Sequence, residues 1–323
     1  MTRGTLYPWV LIVVVSICVI GSTHVDFVIR VPRVPSIGET ILGKGFEIHS
    51  GGKGANQCIG VARLGVRATL VSRVGNDFLA DMALKNLKAE GNVVLDYVNI
   101  VEGVHTGVAF ILVDFSGDNI IAVAPGADMY VSRSDVDKVL KSIRDFKALL
   151  VQLEIPLDTV AYALEKFHEK GVLTILNPAP AIVLHESIYN YVDVLTPNRT
   201  ELGVLVGLDI SSLDDVIHVS RKLLKAGVRI AVVTTLGADG AVVVTRNRVV
   251  HLPAFKVKAI DTTGAGDAFN AGLAVALTEG MDIVDAVHFA NAVAALSTTK
   301  MGAQEGLPRR DEVEEFIKRH GLS

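Results

Sequence analysis

The stretch ALLVQLEIPLDTVAYALEKFHEKGVLTILNPAP, residues 148–180, predicts a strand, a helix and a second strand. Residues 148–154 and 172–180 are short apolar runs, whereas 157–171 repeat apolar side chains at steps of three and four residues and end in a glycine. Two strands joined by a helical crossover usually lie parallel in one sheet, because the crossover returns the chain to the edge where it began. The stretch therefore predicts a parallel sheet with helices packed on it.

The same alternation continues on both sides of this unit. Apolar runs that are typical of strands alternate with helical patterns, and the chain from residue 260 onward is mostly helical. We therefore predict an α/β fold, a three-layer αβα core with a mainly parallel central sheet. The further strand-like ranges are 68–75, 192–198, 229–237 and 254–260, and the further helical ranges are 77–91 and 212–227.

The N-terminus carries an apolar run from Trp9 to Ile20 behind a short basic start, which superficially resembles a signal peptide. The run is shorter than the roughly 20 residues that a membrane-spanning helix needs. It is rich in β-branched residues and ends in Gly-Ser-Thr, as a buried parallel strand does when it enters a loop. We therefore predict a strand in this run, a flexible extension at 1–12 and a single domain at 13–323.

Two segments, about 25–50 and 104–126, break the alternation. The first contains strand-like pieces and two prolines but no helical pattern, and 107–127 predicts a hairpin that turns at 116–118. Together they suit a small β-layer at the edge of the main domain. Such a layer could cover a site as a lid or pair with another subunit, and a plain surface hairpin is the alternative.

Composition excludes several classes of partner. Half of the residues are hydrophobic and the formal net charge is −4, and no basic run is long enough for nucleic acid or an anionic membrane surface. The two cysteines, Cys18 and Cys58, lie in apolar surroundings without a metal-ligand spacing. They are expected to be buried thiols in a reducing compartment, which indicates a cytoplasmic protein.

Ligands in open parallel sheets bind beyond the carboxyl ends of the strands, so the loops there form the candidate site. In SGGKGANQ (50–57), three glycines allow close backbone approach, and an ammonium and an amide beside them suit the hydroxyl groups of a polyol. Each loop also has an ordinary structural explanation: a solvated turn at 21–26, a helix start without a ligand at 49–65, a helix N-cap region at Glu154 and a hairpin turn at 234–244.

The loop DTTGAGDAFNAG (261–272) resembles a phosphate loop but lacks the lysine of that motif. Its amides at Gly264, Ala265 and Gly266 precede a helical pattern, and the unpaired N–H groups and dipole of a helix N-terminus favour an anion. A carboxylate beside that anion, Asp267, is unfavourable unless it has separate work, such as taking the proton of an attacking hydroxyl. An N-cap aspartate on a tight glycine turn explains the same residue equally well.

Taken together, the loops resemble the ribokinase (PfkB-type carbohydrate kinase) family from about Val14 to the C-terminal helix. The resemblance implies ATP-dependent phosphorylation of a sugar CH₂OH group with Mg²⁺ and with a monovalent cation, usually K⁺, as activator. It implies a small β-sheet lid that often forms the contact of a homodimer. D-ribose is the leading acceptor, and a nucleoside, 2-deoxyribose, fructose or 2-keto-3-deoxygluconate is the alternative. The motifs that carry the resemblance are GSTHVD (21–26), SGGKGANQ (50–57), LNPAP (176–180), TPNRTE (196–201), TLGADG (235–240) and DTTGAGDAFNAG (261–272).

The resemblance also implies roles for individual residues. Asp267 would be the general base, and the amides of Gly264, Ala265, Gly266 and Asp267 would form an anion hole for the transferring phosphoryl group. Glu201, with Asn198, matches a motif that is linked indirectly to Mg²⁺. The implied sugar ligands are His24, Asp26, Gly52, Lys53, Asn56, Glu154 and Asp267; the implied nucleotide ligands are Asn198, Thr235, Gly237, Gly240, Gly266 and Asn291; and the implied K⁺ site comprises Asp261 and Thr263 with Ser297, Lys300 and Gly302, these three through main-chain carbonyls.

The chain departs from the family pattern in three places. His24 stands where the family usually has an asparagine that helps to hold the sugar, and neutral imidazole donates and accepts one hydrogen bond each but with a different reach. The run GAQEG (302–306) replaces the usual GAQP, and the N-terminus is longer than usual. Only His24 bears on the choice of sugar.

Two other classes of function compete with a kinase. A secreted or membrane-tethered sugar-binding protein would require cleavage near residue 22, which would remove the first strand of the predicted core. A nicotinamide oxidoreductase would require a glycine fingerprint followed by an acid, and the sequence lacks it.

Overall fold

The computed structural model describes residues 16–115, 119–142 and 145–320. The predicted extension at 1–12 and the predicted hairpin turn at 116–118 lie outside these residues. The strands are β1 (Ser16–Ile20), β2 (His24–Arg30), β3 (Gly45–Gly51), β4 (Arg67–Gly75), β5 (Val93–Val101), β6 (Gly107–Val113), β7 (Asn119–Ala124), β8 (Phe146–Val151), β9 (Leu173–Leu176), β10 (Val194–Leu195), β11 (Ala231–Thr235), β12 (Ala241–Val244) and β13 (Val249–Leu252). The helices are α1 (Lys53–Arg63), α2 (Phe78–Ala89), α3 (Arg133–Ser142), α4 (Leu157–Glu169), α5 (Arg199–Val206), α6 (Leu213–Ala226), α7 (Ala265–Thr278), α8 (Ile283–Ser297) and α9 (Arg310–Arg319).

The described strands form a nine-stranded central sheet in the order β13-β12-β11-β10-β9-β8-β1-β4-β5. All pairs from β11 to β5 are parallel, and only β12 and β13 pair antiparallel at one edge. The α/β fold with a mainly parallel sheet is therefore confirmed. The antiparallel edge follows from the short turn at 237–240, because so short a connection cannot hold a crossover helix.

Alternating residues of the interior strand β1 pack into two separate cores. Ile17 and Val19 belong to the cluster that contains the buried faces of α1, α7 and α8. Cys18 and Ile20 belong to the cluster on the opposite face, which contains those of α3, α4 and α6. The sheet is therefore covered on both faces, which makes the three layers of the predicted core and explains why the strands are apolar throughout. Both cysteines are buried free thiols, as predicted.

The four remaining strands form a second sheet in the order β3-β2-β6-β7. β2 and β6 pair parallel, and the two outer pairs are antiparallel. Successive side chains of a strand point to opposite faces, and the two faces here differ. The inner face carries Asp26, Arg30, Glu47 and His49, which line a cleft against the main domain. The segments that break the alternation in the sequence are therefore the segments that build this sheet.

The prediction of a strand at 254–260 is wrong. β13 ends at Leu252, and residues 253–259 have no regular secondary structure. Pro253 follows β13 directly and has no N–H to donate to a ladder, so pairing stops there. The apolar side chains of the segment serve instead as one wall of a cleft beside β11, β12 and α8. No helix in the described part of the chain has the length and hydropathy that crossing a membrane requires.

Candidate active site

Two clefts flank the loop that precedes α7. One, of about 560 Å³, lies under the small sheet and includes Asp26 and Asp261 in its lining. The other, of about 930 Å³, lies between the β11–β12 turn and α8. Ala259 and Thr262 line both clefts, so the DTTGAGD loop stands where the two meet. A group bound in one cleft could be passed to a group bound in the other across this loop.

The glycine at position 264 lets the loop turn into α7. Gly264 has φ 78°, in the left-handed region, and a β-carbon there would lie 3.0 Å from Ala303 Cα. Ala265 N donates to Thr262 O at 3.2 Å, so one of the four predicted anion-hole amides is already engaged. In the described part of the chain, the Gly266 and Asp267 amides find no acceptor outside their helix. These two are the N–H groups that the helix start offers to an anion.

Asp267 is buried at the start of α7, and each of its carboxylate oxygens accepts a hydrogen bond. Asn56 Nδ2 donates to Oδ2 at 2.9 Å, and Gln57 Nε2 donates to Oδ1 at 3.0 Å. Burial raises the pKa of Asp267, and the charge of Lys53 and the two amide bonds oppose that rise. Asp267 does not cap its helix, because Gly264 occupies the N-cap position. The N-cap explanation of this aspartate is therefore wrong.

Lys53 follows β3 and Glu154 follows β8, and the two residues lie side by side at the carboxyl ends of these strands. Glu154 accepts hydrogen bonds from the Lys53 main-chain N–H at 3.1 Å and from the hydroxyl of Ser22. Burial alone would lower the pKa of Lys53, but the carboxylates of Asp267, Glu154, Glu201 and Asp26 around it raise the value. The lysine ammonium is thus a cation surrounded by acids, with no hydrogen-bond partner among the described residues.

His24 lies at the start of β2 and is only 3% exposed, so the region 21–26 is not a solvated turn. Its Nε2 lies 2.7 Å from Oδ2 of the fully buried Asp128. Burial alone would lower the pKa of His24, but the adjacent carboxylate of Asp128 and the charges of Glu154 and Asp26 raise it to about 9. We therefore describe His24 and Asp128 as a buried ion pair. Residue 26 follows on the same face, and burial raises the pKa of Asp26 to about 6.

Asp26 and the ion pair are accommodated because glycines lie against them. A β-carbon at Gly107 would lie 2.3 Å from His24 Cδ2 and 2.4 Å from Asp128 Oδ2, and one at Gly51 would lie 2.3 Å from Asp26 Oδ2. Gly52 has φ 92° and packs against the backbone of residues 22–24. The glycines of SGGKGANQ therefore make room for the acid of β2, and Gly107 makes room for the imidazole.

The predicted nucleotide residues lie around the larger cleft. Asn198 forms a bridge to Thr235, and Asn291 Nδ2 donates to Leu252 O at 3.4 Å. Glu201 and Asn198 also form a reciprocal capping box at the start of α5, which gives both residues a structural role. The predicted residues that line the cleft are Thr235, Gly237, Gly240, Gly266 and Asn291.

The predicted K⁺ residues meet at the end of α8. Asp261 accepts hydrogen bonds from the Thr263 and Gly302 amides, each at 2.9 Å, and these bonds lower its pKa although burial opposes the change. A β-carbon built on Gly306 would lie 2.7, 2.8 and 3.6 Å from the carbonyl oxygens of Ser297, Gly302 and Lys300. Three carbonyl oxygens therefore converge near Gly306, and that of Gly302 accepts a hydrogen bond from the Gly306 N–H at 2.9 Å. Oxygen donors of this kind suit a hard cation. In the described ranges, no cluster of three or more His, Cys, Asp or Glu side chains could hold a metal.

Sequence reasoning missed three residues that touch the site. Asp128 follows Gly126 in a 3₁₀ turn, and nothing local in the sequence signals that it pairs with His24. Gln57 stands one position after Asn56, and the start of α1 within SGGKGANQ was a signal that its side chain also projects toward the site. Gln304 lies in GAQEG (302–306), and no local pattern in that run signals that its side chain reaches Asn56.

Comparison with known proteins gives a family and a fold. The model of the pfkB family carbohydrate kinases matches residues 15–310. The chain is 37% identical to a ribokinase of Haemophilus influenzae, with 94% of this chain and 98% of the relative covered. It is 35% identical to a deoxyribokinase of Salmonella typhi, with 94% and 98% covered.

Solved structures agree with this. A crystal structure of a ribokinase from Thermotoga maritima superposes with a TM-score of 0.85 at 37% identity, covering 94% of this chain and 99% of that one. An Arabidopsis thaliana ribokinase complexed with ribose and ATP superposes with a TM-score of 0.84 at 31% identity, covering 94% and 98%. The chain therefore belongs to the pfkB family of carbohydrate kinases, phosphotransferases that act on an alcohol group.

Proposed function

We propose that this protein is an ATP-dependent kinase that phosphorylates the CH₂OH group of D-ribose and forms ribose 5-phosphate. The observation that carries the proposal is the position of Asp267, a buried carboxylate beside two amides of a helix start, on the loop where two clefts meet. The ribokinases among the relatives support ribose. The deoxyribokinase of nearly equal identity favours 2-deoxyribose as the second candidate.

In the proposed reaction, the sugar binds against Asp26, Lys53, Asn56 and Glu154, and ATP binds in the larger cleft. Asp267 takes the proton of the sugar hydroxyl, whose oxygen forms a bond to the γ-phosphorus as the bond to the β-phosphate oxygen breaks. The products are the sugar phosphate and ADP, and the proton remains on Asp267 until it is released to solvent. The cytoplasm supplies ATP, so we place the reaction there.

Groups with fixed positions would supply positive charge around the phosphoryl group that is transferred. The Gly266 and Asp267 amides and the Lys53 ammonium would stabilise the charge that develops on the phosphoryl oxygens. Glu201 uses Oε2 in the capping box, and its Oε1, which has no partner in the described ranges, would hold a water of Mg²⁺. When bound, Mg²⁺ supplies neutralisation of the phosphate charge of ATP.

A monovalent cation would bind at the three converging carbonyl oxygens, next to Asp261. Asp261→Ala removes the carboxylate that holds the Thr263 and Gly302 amides, so the carbonyl oxygens lose their shared orientation. We expect the stimulation of turnover by K⁺ to disappear in this variant, while Asp209→Ala, which changes an exposed acid elsewhere, keeps it. Turnover measured with and without K⁺ checks this, and unchanged K⁺ dependence in Asp261→Ala would reject the cation site.

The outer face of the small sheet supports the proposal of a homodimer. Phe27 stacks on Phe46 and Phe110 with ring centroids 6.1 and 5.2 Å apart, and Phe46 and Phe110 are more than half exposed. A contiguous apolar face on an exposed sheet marks a protein interface more often than free surface. We expect light scattering of the intact chain to give the mass of two copies.

A screen of phosphate acceptors tests the proposed function directly. ATP consumption is measured with D-ribose, 2-deoxyribose, fructose, 2-keto-3-deoxygluconate and nucleosides, each with and without K⁺. We expect the highest kcat/KM for D-ribose. Higher kcat/KM for 2-deoxyribose would replace ribose with the second candidate, and no turnover with any sugar would overturn the proposal.

A further inference from the structure

Asp267 is held by two amides that are themselves held. Gln57 Oε1 accepts a hydrogen bond from Gln152 Nε2 at 2.6 Å, and Asn56 Oδ1 accepts one from Gln304 Nε2 at 3.0 Å. Each amide oxygen therefore faces a donor, so each amide nitrogen must face Asp267. The side chains form one chain of hydrogen bonds, Gln152–Gln57–Asp267–Asn56–Gln304, which we call the amide frame.

The amide frame is excluded from water. Gln57, Gln152 and Gln304 are 0% exposed, and Asn56 is 5% exposed. Buried amides of this kind are costly unless they are bonded, and here the bonds run to one carboxylate. Gln57 Nε2 makes a further bond to Asn177 Oδ1 at 3.1 Å, and Asn86 Nδ2 donates to Gln304 Oε1 at 3.0 Å. The frame is thus anchored to the rest of the protein at Gln57 and at Gln304, whereas Gln152 Oε1 has no hydrogen-bond partner among the described residues.

From this geometry we infer that Gln57 and Gln304 are positioning residues, which fix the orientation of the Asp267 carboxylate through the amide frame. The inference rests on the proposed function, in which Asp267 is the general base. A carboxylate with one donor on each oxygen cannot rotate without breaking both bonds, so its remaining lone pairs keep a fixed direction. A base that is held in its reactive direction saves the cost of ordering it in the transition state.

The same frame connects the base to the loop at 300–306, which carries the predicted K⁺ ligands Lys300 and Gly302 and is called the cation loop below. Gln304 lies two residues after Gly302, whose N–H is bonded to Asp261 and whose carbonyl oxygen is one of the converging three. A shift of that loop would move Gln304, and through Asn56 it would move Asp267. The frame thus provides a physical link from the predicted cation site to the reacting group.

The amides of Asn56 and Gln57 also favour the ionised form of Asp267, whereas burial favours the protonated form. The charged groups that face Asp267 are Lys53, which favours ionisation, and the acids Glu154, Glu201 and Asp26, which oppose it. Loss of the Gln57 bond removes one stabilising donor from the carboxylate and leaves these charges unchanged. The acid limb of the kcat profile should then move to higher pH.

The test replaces Gln57 and, separately, Gln304 with methionine, which keeps the length of the side chain and removes both polar atoms. We expect kcat for D-ribose to fall by about 10- to 100-fold, the range for a misplaced reacting group, with little change in KM. For Gln57→Met, the acid limb should rise by about one pH unit, the size of one hydrogen bond to a charged group. Thr69→Val is the matched control, because it removes a fully buried hydroxyl that has no hydrogen-bond partner in the described part of the chain.

Isosteric Gln57→Glu provides a second variant in case Gln57→Met does not fold. It places an oxygen where the amide nitrogen bonds Asp267, so it should lower kcat and raise the acid limb as Gln57→Met does. Wild-type kcat and acid limb in a folded Gln57 variant, or a change in KM alone, would overturn the inference. Wild-type turnover in Asp267→Asn would instead overturn the role of the base, so the two failures are distinguishable.

Discussion

Asp267→Asn is expected to lower kcat for D-ribose by about 10²–10⁴-fold, the usual contribution of a general base. Asparagine keeps the shape of the side chain but cannot take the proton of the sugar hydroxyl. The sugar should still bind, because Asp26, Lys53, Asn56 and Glu154 remain. The measurement is steady-state turnover together with the dissociation constant of the sugar.

The pH dependence of the wild-type enzyme gives a second view of the same residue. Because burial raises the pKa of Asp267, the ionised base is lost as the pH falls through that raised value, and kcat should fall with it. Asp209→Asn, at an exposed acid that lines neither cleft, makes the same chemical change and should leave kcat near the wild-type value. A folded Asp267→Asn variant with near-wild-type kcat would refute the base.

His24→Asn is expected to lower the free energy of unfolding by about 3–5 kcal/mol, the cost of leaving one member of a buried ion pair without its partner. The variant restores the residue that the family usually has, but it strands the carboxylate of Asp128, which is 0% exposed. Urea denaturation measures the loss. The family residue is therefore expected to be unfavourable in this chain.

The double variant His24→Asn/Asp128→Asn separates the ion pair from packing. It removes both charges, so it should recover most of the stability that His24→Asn loses. A loss of stability in the double variant that equals the sum of the losses in His24→Asn and Asp128→Asn would contradict a paired role. The same three variants, assayed with ribose and 2-deoxyribose, measure how far the pair governs the choice of sugar.

The pH dependence of stability gives the sign of the interaction. The pKa of His24 is raised from 6.5 to about 9, so its contribution is fully present below pH 6.5 and is lost as the pH rises through 9. The wild-type protein should lose stability between pH 7 and 10 by more than the double variant does. Equal losses would show that His24 is not held as imidazolium.

The fold could be predicted because its signals are local. Each strand–helix unit carries its own periodicity, and the apolar alternation on β1 serves both cores. The segment 254–260 was predicted wrongly because an apolar alternation does not say whether a neighbouring strand is present, and Pro253 removed the pairing. Which strands pair depends on residues that are far apart in the chain, so a short stretch of sequence cannot show it.

The site divides in the same way. Asp267 and the glycine turn could be found from one loop, because a helix start and an acid lie next to each other in the sequence. Asp128 could not, since it meets His24 only after β2 and β6 have paired and brought residue 128 to the start of β2. Gln304 reaches Asn56 through the packing of the cation loop on α1, which is equally non-local.

The two faces of the small sheet have different roles, and this fixes the number of residues in β2. Asp26 and Phe27 are neighbours in the chain, yet one belongs to the inner cleft and the other to the aromatic outer face. Point substitutions can therefore alter substrate contact and assembly one at a time. A single inserted residue in β2 would exchange the side chains of the two faces. This segment is therefore expected to tolerate substitutions but not insertions or deletions.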